Sequence, residues 1–230
     1  MSAKPKSRQA LIVGASRGLG LGLTKEYLQR GWDVVATVRT AITGAGLEDY
    51  YAQLTLDTLD INNLHMVDDF MARLRHHVFD VIILNAGIYG PHGRGAGNTA
   101  PEEIAHLMMT NAIAPVRLAE RLVSQLRPET GGLAFMSSVQ GSLEVNTNDG
   151  SPLYAASKAM LNRLTRAFAS EHEYLTITNL HPGWVRTAMG GENAPLDVET
   201  SAKGMADVLE ARAGKGGHEF LDYRGKIIPW

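Results

Sequence analysis

The sequence predicts a doubly wound α/β fold, in which helices cover both faces of a parallel sheet. Three observations lead to this prediction. Short runs rich in strand-forming residues alternate with longer stretches of helical periodicity along the chain. The run DVIILNAG at 80–87 is almost entirely apolar, as a strand covered on both faces should be. A glycine-rich turn, VGASRGLG, separates the first predicted strand from the first predicted helix.

Each element is predicted from a short stretch of sequence. Strands are predicted at QALIVG (9–14), DVVATVR (33–39), AQLTLD (52–57), DVIILNAG (80–87), GGLAFMSS (131–138), YLTITNL (174–180) and HEFLDY (218–223). Helices are predicted at 18–31, 62–76, 101–126, 152–171 and 198–212; in the second of these, apolar residues recur at helical spacing from Leu64 to Leu74. No internal repeat or linker interrupts the alternation, so residues 1–230 are predicted to form a single domain.

Composition excludes several classes of function. The 230 residues carry 22 basic and 24 acidic side chains, whereas nucleic-acid binders normally show a basic excess. There is no cysteine, which excludes disulfides, a thiol nucleophile and cysteine-ligated metal. The adjacent His76 and His77 do not converge on one helix face, so no metal site is predicted. No stretch approaches the roughly 18 apolar residues of a membrane span, and a cytoplasmic location without membrane contact is expected.

The glycine-rich turn lies where the pyrophosphate of a dinucleotide would bind. Gly14, Gly18 and Gly20 directly follow the first strand and open the first helix. Glycine permits a tight turn and close approach of the backbone, and the helix N-terminus offers free N–H groups with a partial positive charge. Turns favour glycine for other reasons too, but the position between strand and helix favours dinucleotide binding.

Two arginines predict NADP(H) as the cofactor. In the NAD-binding version of this motif, an acidic residue about 20 positions on holds the ribose 2′-hydroxyl. At the corresponding strand end this chain has Arg39, and an arginine pairs with a 2′-phosphate that an acid would repel. Arg17, inside the glycine loop, can reach the same phosphate. The alternative at this stage is that Arg39 is an ordinary surface residue.

Two further strand ends carry polar or small residues. Asp57, after the third strand, is predicted to meet the adenine ring. Asn85, Ala86 and Gly87, after the fourth strand, offer a polar side chain and a flat glycine surface beside the cofactor. Ordinary turn chemistry explains either feature equally well.

The stretch SPLYAASK at 151–158 sets a tyrosine and a lysine four positions apart at the start of a predicted helix. Tyr154 and Lys158 are therefore one turn apart on the same face. Free tyrosine has a pKa of about 10, and a nearby ammonium favours the phenolate. The pair is suited to acid–base chemistry, although the stretch alone is equally compatible with a surface Tyr–Lys pair.

Together the motifs resemble those of the short-chain dehydrogenase/reductase family. GASRGLG, NAG, Asn111, SSVQG (137–141), YAASK (154–158) and HPGWVRT (181–187) occur in that family's order and spacing over essentially the whole chain. HPGWVRTAMGG…APL and the ending GKIIPW are similar to the C-factor-like and sniffer-type carbonyl reductase branch. The resemblance implies a Rossmann sheet of about seven parallel strands in the order 3-2-1-4-5-6-7, with the active site at the strand C-terminal ends.

The resemblance also implies a catalytic tetrad of Asn111, Ser138, Tyr154 and Lys158. Tyr154 would be the acid, or the base in the reverse direction, with Lys158 favouring its phenolate and holding the nicotinamide ribose. Ser138 would hydrogen-bond the substrate oxygen, and Asn111 would anchor a water that relays protons to Lys158. Cofactor contacts are implied at Gly14, Ser16, Arg17, Gly18, Leu19, Gly20, Arg39, Asp57, Asn85, Ala86, Gly87, Tyr154, Lys158, Pro182, Gly183, Val185 and Thr187.

The sequence departs from the family pattern around the serine. Many members place the catalytic serine fewer residues before the tyrosine than the 16 that separate Ser138 from Tyr154. Ser138 is favoured because Val-Gln-Gly follows it in the family's pattern, while Ser137 and Ser142 remain alternatives. A second departure is Leu84, where many relatives have asparagine; a buried leucine on a parallel strand is unremarkable.

The expected function is NADPH-dependent reduction of an aldehyde or ketone to an alcohol by hydride transfer. Two alternatives stay open: a cofactor-binding regulatory or signalling protein on the same fold, and an NAD-linked alcohol dehydrogenase. The loops at 88–98, 142–152 and 187–197 are expected to form a partly apolar pocket for a small-molecule carbonyl or alcohol substrate. The family often pairs its long helices, here 101–126 and 152–171, so a homodimer or homotetramer is expected.

Overall fold

The computed structural model describes residues 7–39, 47, 52–92, 95–145 and 150–230. Its strands are β1 (Gln9–Val13), β2 (Asp33–Val38), β3 (Leu54–Thr58), β4 (Val81–Leu84), β5 (Gly132–Met136), β6 (Thr176–His181) and β7 (Gly217–Asp222). Its α-helices are α1 (Gly18–Gln29), α2 (Leu64–Leu74), α3 (Pro101–Met108), α4 (Ala114–Leu122), α5 (Pro152–Glu171) and α6 (Val198–Arg212).

The strands form one parallel sheet in the order β3-β2-β1-β4-β5-β6-β7, which confirms the predicted fold class and order. The strand order reverses between β1 and β4. Val13 pairs with Thr37 of β2 on one side and with Leu84 of β4 on the other, so the loops after β1 and β4 leave the sheet side by side. A doubly wound sheet binds its ligands in the crevice at this point.

Two hydrophobic cores cover the two faces of the sheet. Leu11 and Val13 of β1 face the core that contains side chains of α2, α4 and α5. Ala10 and Ile12 face the core that contains side chains of α1 and α6. Because successive side chains of a strand point to opposite faces, a central strand covered on both sides consists mostly of apolar residues. This explains the continuous apolar runs in the sequence.

The long helix predicted at 101–126 is interrupted near its middle. α3 ends at Met108, a π-helical turn spans Met109–Ile113, and α4 follows. In this turn the Ala114 N–H donates to the carbonyl of Met109, five residues back. Pro115 has no N–H, so it cannot bond the carbonyl of Asn111 as a regular α-helix requires. The interruption therefore falls on one of the predicted catalytic residues.

Candidate active site

A cleft of about 490 Å³ lies at the C-terminal edge of the sheet and is lined by residues that follow β1 to β6. Most of the predicted site residues line it: Gly14, Ser16, Arg17, Gly18, Leu19, Arg39, Asn85, Ala86, Gly87, Tyr154, Lys158, Pro182 and Thr187. Other predicted residues do not line it: Gly20, Asp57, Asn111, Ser138, Gly183 and Val185.

The glycine loop between β1 and α1 is packed so closely that two positions exclude a side chain. Gly14 has a φ of +90°, and a Cβ there would lie 2.7 Å from the Cα of Ala86. A Cβ on Gly20 would lie 2.0 Å from the carbonyl oxygen of Gly14, so α1 packs directly on the loop before it. The N-terminus of α1, where Gly18 and Leu19 line the cleft, thus offers free N–H groups to an anion.

Asn85 fastens the glycine loop to the end of β4. Its Nδ2 donates to the carbonyl of Gly14 over 2.7 Å, and its main-chain N–H donates to the carbonyl of Val13 over 3.0 Å. Gly87 lies further towards the catalytic candidates, because a Cβ there would be 3.3 Å from Asn111 Oδ1 and 3.7 Å from Lys158 Nζ. The three residues after β4 therefore connect the glycine loop to the part of the cleft near Asn111 and Lys158.

Arg17 and Arg39 form a cationic rim on the cleft. Both line it, both are exposed, and neither has an ion pair within the described part of the chain. By contrast, Arg127 is paired with Asp80 at 2.5 Å. Two guanidinium groups without a carboxylate partner are suited to bind a phosphate.

The structure corrects the prediction for Asp57. This residue lies within β3, and its carboxylate accepts hydrogen bonds from Arg73 of α2 at 2.8 and 2.9 Å. Its side chain is therefore directed to α2 and not to the cleft. Asp60, in the loop after β3, lines the cleft in its place, and its Oδ1 accepts from the N–H of Asn62 at 2.9 Å.

Tyr154 and Lys158 lie one turn apart on α5 and both line the cleft, as the sequence predicts. Lys158 Nζ is 5.7 Å from the centre of the Tyr154 ring and donates to the carbonyl of Met136 over 2.8 Å. Lys158 is only 4% exposed, which excludes a surface Tyr–Lys pair. Burial lowers the pKa of Lys158 from its usual 10.5 to about 8, so the ammonium is held less firmly than in an exposed lysine but is still the main form at pH 7.

An aromatic wall stands beside Tyr154. The ring of Tyr89 stacks on that of Tyr154 with centroids 5.0 Å apart, and on the ring of His92 with centroids 4.6 Å apart. The Tyr89 hydroxyl is hydrogen-bonded to that of Ser151, at the start of α5. Residues 93–94 and 146–149 of the predicted pocket loops lie outside the described residues.

Hydrogen bonds distinguish the three candidate serines. Ser137 Oγ donates to Asn162 at 2.7 Å, and Ser142 Oγ donates to the carbonyl of Pro229 at 2.6 Å. Ser138 Oγ accepts from the N–H of Gln140 at 3.2 Å, and no acceptor among the described residues takes its proton. Of the three, Ser137 is the one that lines the cleft. Ser138, 8% exposed, is the serine whose hydroxyl is still able to donate within the described chain.

Asn111 braces the segment after β4 and does not line the cleft itself. Its Oδ1 accepts from the N–H of Ile88, and its Nδ2 donates to the carbonyl of Ile88, both at 2.8 Å. Nδ2 also donates to Ser157 Oγ at 3.0 Å, one residue before Lys158. The side chain therefore holds the end of β4 against α5, and both of its amide protons are used.

The turn after β6 places two predicted residues at the cleft and two behind it. Pro182 and Thr187 line the cleft, and Thr187 Oγ1 lies 3.4 Å from the carbonyl oxygen of Val185. Gly183 turns the chain with a φ of +85°. Val185 is buried and forms a β-bridge with Leu196, which closes the loop that follows.

Several lining residues were not predicted: Leu59, Asp60, Ile61, Asn62, His106, Thr110, Arg186 and Val198. Ile88, Ala188 and Met189 also line the cleft and lie in two of the loops predicted to form the pocket. Of the residues that were not predicted, the first four follow β3 directly, and extending the predicted third strand by one residue would have placed them at the cleft. Arg186 also shapes the loop after β6, because its guanidinium donates to the carbonyls of Ala194 and Pro195 at 3.0 Å. No local motif marks the others.

Comparison with known proteins identifies the family. A family model described as short chain dehydrogenase matches residues 8–196. The chain belongs to the short-chain dehydrogenase family. A carbonyl reductase from Pseudomonas aeruginosa PAO1, solved in complex with NADP, is similar to this short-chain dehydrogenase with 42% identity and a TM-score of 0.90, over 98% of this chain and 100% of that chain.

Two further similarities agree with the resemblance predicted from the motifs. The carbonyl reductase Sniffer of D. melanogaster has 28% identity and a TM-score of 0.85, over 98% of this chain and 100% of that chain. The C-signal protein of Myxococcus xanthus is 35% identical over 157 residues, which is 66% of this chain and 92% of that protein. The resemblance to the short-chain dehydrogenase/reductase family and to its C-factor-like and sniffer-type branch, predicted from the motifs, is thereby confirmed.

The described residues form no helix that combines the length and the apolar character that crossing a bilayer requires. Nor do they contain three or more His, Cys, Asp or Glu side chains placed to hold a metal ion.

Proposed function

We propose that this short-chain dehydrogenase uses NADPH to reduce an aldehyde or ketone to an alcohol. The observation that carries the proposal is the pair on α5: Tyr154 lines the cleft, and the buried ammonium of Lys158 lies 5.7 Å from its ring. A pure binding protein has no need of a desolvated lysine beside a tyrosine. The proposed substrate of this short-chain dehydrogenase is a small molecule with a carbonyl or hydroxyl group.

The cleft fits NADP(H) at several places. The close packing at Gly14 and Gly20 leaves the N-terminus of α1 open to a pyrophosphate. Arg17 and Arg39 suit the 2′-phosphate, and Asp60 takes the place predicted for Asp57 beside the adenine. The NADP bound to the P. aeruginosa relative supports the same choice. NADPH supplies the hydride when it is bound.

Tyr154 donates its phenolic proton to the substrate oxygen as the alcohol forms. The charge left on the phenolate is stabilised by Lys158. At 5.7 Å and an effective dielectric constant of about 20, this attraction is on the order of 3 kcal/mol. In the reverse direction the same attraction makes Tyr154 a usable base near neutral pH.

Ser138 and Asn111 complete the site in different ways. Ser138 donates a hydrogen bond to the substrate oxygen and keeps its proton, because Ser137 is bonded elsewhere and the Ser138 hydroxyl has no acceptor in the described chain. Asn111 offers its main-chain carbonyl, which Pro115 cannot bond, to a water. That water relays protons towards Lys158, and from there they return to Tyr154.

The test is nucleotide consumption over a panel of aldehydes and ketones, with NADPH and NADH side by side. Tyr154→Phe is the matched variant, since it keeps the ring that stacks on Tyr89 and removes only the hydroxyl. We expect oxidation of NADPH that falls by at least about 100-fold in the variant, with NADPH binding retained. Full activity of Tyr154→Phe would remove Tyr154 from the mechanism.

A second candidate function is a regulatory or signalling protein that binds the cofactor without turnover. The similarity to C-signal favours it. NADPH binding by this chain, with no reaction over the whole panel and no change of affinity in Tyr154→Phe, would support it. An NAD-linked alcohol dehydrogenase is disfavoured by the guanidinium groups of Arg17 and Arg39, which line the cleft and have no ion pair among the described residues. The cytoplasmic location and the homodimer or homotetramer stay predictions.

A further inference from the structure

A buried polar cluster lies beneath the turn that carries Ser138. Its members are Ser137, Asn162, Thr165 and Asn179, and each is at most 5% exposed. Asn162 is on α5, one turn after Lys158 and two turns after Tyr154. The cluster therefore shares a helix face with the catalytic pair, and its member Ser137 lines the cleft.

Asn162 binds the serine turn on both sides of Ser138. Its Oδ1 accepts from the hydroxyl of Ser137 at 2.7 Å, and its Nδ2 donates to the carbonyl of Gly141 at 3.1 Å. The 3₁₀ turn between them, Val139–Gly141, has three residues, and so short a turn has little stability of its own. Its position depends on these outside bonds.

Asn179 of β6 fixes the orientation of the Asn162 amide. Its Nδ2 donates to Asn162 Oδ1 and to Thr165 Oγ1, both at 2.8 Å. At its other end, Asn179 Oδ1 is bonded to the ring of His218 at 3.1 Å. A buried amide with this set of partners has one orientation, because rotating it would face donors with donors.

The serine turn also packs directly on the backbone of α5. A Cβ on Gly141 would lie 2.8 Å from the carbonyl carbon of Lys158 and 3.0 Å from Asn162 Nδ2. Lys158 Nζ holds the last residue of β5 through the carbonyl of Met136. Three hydrogen bonds and one close contact thus connect the turn to the helix that presents Tyr154.

We propose that Asn162 is a positioning residue that sets the direction of the Ser138 hydroxyl relative to Tyr154. It acts through Ser138, and no contact with substrate or cofactor is needed. The inference rests on the proposed function, in which Ser138 binds the substrate oxygen. An apolar side chain at 162 would leave the Ser137 hydroxyl and the Gly141 carbonyl buried without partners, and the turn would shift to satisfy them.

Steady-state kinetics of Asn162→Leu test the proposal in the wild-type and Ser138→Ala backgrounds. With NADPH and the best carbonyl of the panel, we expect kcat to fall about tenfold or more, with NADPH affinity unchanged. Thr165→Val is the matched control: it removes an equally buried hydroxyl from the same cluster without touching the turn, and its kcat should stay within about twofold. In the Ser138→Ala background, Asn162→Leu should have no further effect. Equal losses in both backgrounds would overturn the proposal.

A second measurement does not depend on activity. The chain has no cysteine, so Ser138→Cys introduces a single thiol at the turn. Its rate of alkylation by iodoacetamide should rise about tenfold or more when Asn162→Leu is added, and should not change when Thr165→Val is added. An unchanged alkylation rate with Asn162→Leu would overturn the positioning role of Asn162, whether or not the protein reduces any carbonyl. Failure of the wild type to reduce any carbonyl would separately end the proposed function.

If Asn162→Leu does not fold, Asn162→Asp takes its place in both experiments. This variant keeps the oxygen that accepts from Ser137 and Asn179 and loses the donor to Gly141. A loss of kcat that disappears in the Ser138→Ala background supports the proposal. Wild-type kcat together with a wild-type alkylation rate overturns it.

Discussion

Removing the buried charge of Lys158 should change how the stability of the protein depends on pH. Burial lowers the pKa of this lysine from 10.5 to about 8, so the folded protein holds the proton less tightly than the unfolded chain. Between pH 8 and pH 10.5 the unfolded chain binds more protons, and the free energy of unfolding rises with pH across this window. At about 1.4 kcal/mol for each pKa unit, the gain amounts to about 3 kcal/mol.

Urea unfolding of the nucleotide-free protein, from pH 7 to pH 10.5, measures this gain against Lys158→Met. Methionine fills similar space and binds no proton. Over this range the free energy of unfolding of the wild type should rise by about 3 kcal/mol relative to that of the variant. The variant also loses the hydrogen bond to the carbonyl of Met136. This loss lowers its free energy of unfolding by the same amount at every pH and does not change the pH dependence. Both proteins carry Tyr154→Phe as a common background, because Tyr154 lies beside Lys158 and would titrate differently once the lysine is removed. The remaining titrating groups are common to both proteins and cancel in the difference.

An exposed lysine provides the control. Lys203 pairs with Asp207 at 2.9 Å, and its side chain is 67% exposed, so its ammonium stays in water in both states. The stability of Lys203→Met should run parallel to that of the wild type. If the difference between wild type and Lys158→Met is the same at pH 7 and pH 10.5, Lys158 is not desolvated in solution. The role proposed for Lys158 beside Tyr154 depends on this burial and would then be refuted.

Three further predictions concern the cofactor cleft. Arg39→Ala should weaken NADPH binding by about tenfold or more and leave NADH binding nearly unchanged in fluorescence titrations; equal losses would contradict the phosphate assignment. Gly20→Ala places a Cβ 2.0 Å from the carbonyl oxygen of Gly14, so Tm and nucleotide affinity should fall together; wild-type melting would show that the loop yields freely. Asp60→Ala should weaken binding of both nucleotides. Asp57→Ala should leave nucleotide binding unchanged and lower the free energy of unfolding by less than about 1 kcal/mol. A larger loss of nucleotide affinity in Asp57→Ala than in Asp60→Ala would assign the adenine contact to Asp57.

Sequence patterns predicted the strands well because a buried parallel strand has a continuous apolar run that few other elements share. The ends of the elements were less accurate. The fourth strand was predicted to reach residue 87 but ends at Leu84, because the next side chain, Asn85, bonds the glycine loop. Pro115 inside the predicted helix 101–126 signals an interruption, but proline alone does not distinguish a π turn from a kink.

The site was predictable where local motifs carry the chemistry and less so where distant residues meet. The glycine loop and the Tyr154–Lys158 pair depend on short-range spacing. The choice between Asp57 and Asp60 depends on where the third strand ends, since neighbouring positions on a strand face opposite ways. Arg186 and His106 reach the cleft only through the fold. The sequence favoured Ser138 and left Ser137 and Ser142 as alternatives, and the partners of each hydroxyl support the proposal of Ser138.

The connection between the serine turn and α5 has a consequence for how such enzymes diversify. Ser138 is placed by bonds from Lys158 and Asn162 to the residues on either side of it, and not by the length of chain between it and Tyr154. On the proposed function, a change in the number of residues between 142 and 151 therefore leaves the acid and the oxygen-binding hydroxyl in the same geometry. The 16-residue spacing is one such length. For an engineer, this segment is a place where the chain length can be varied while the serine turn stays bound to α5.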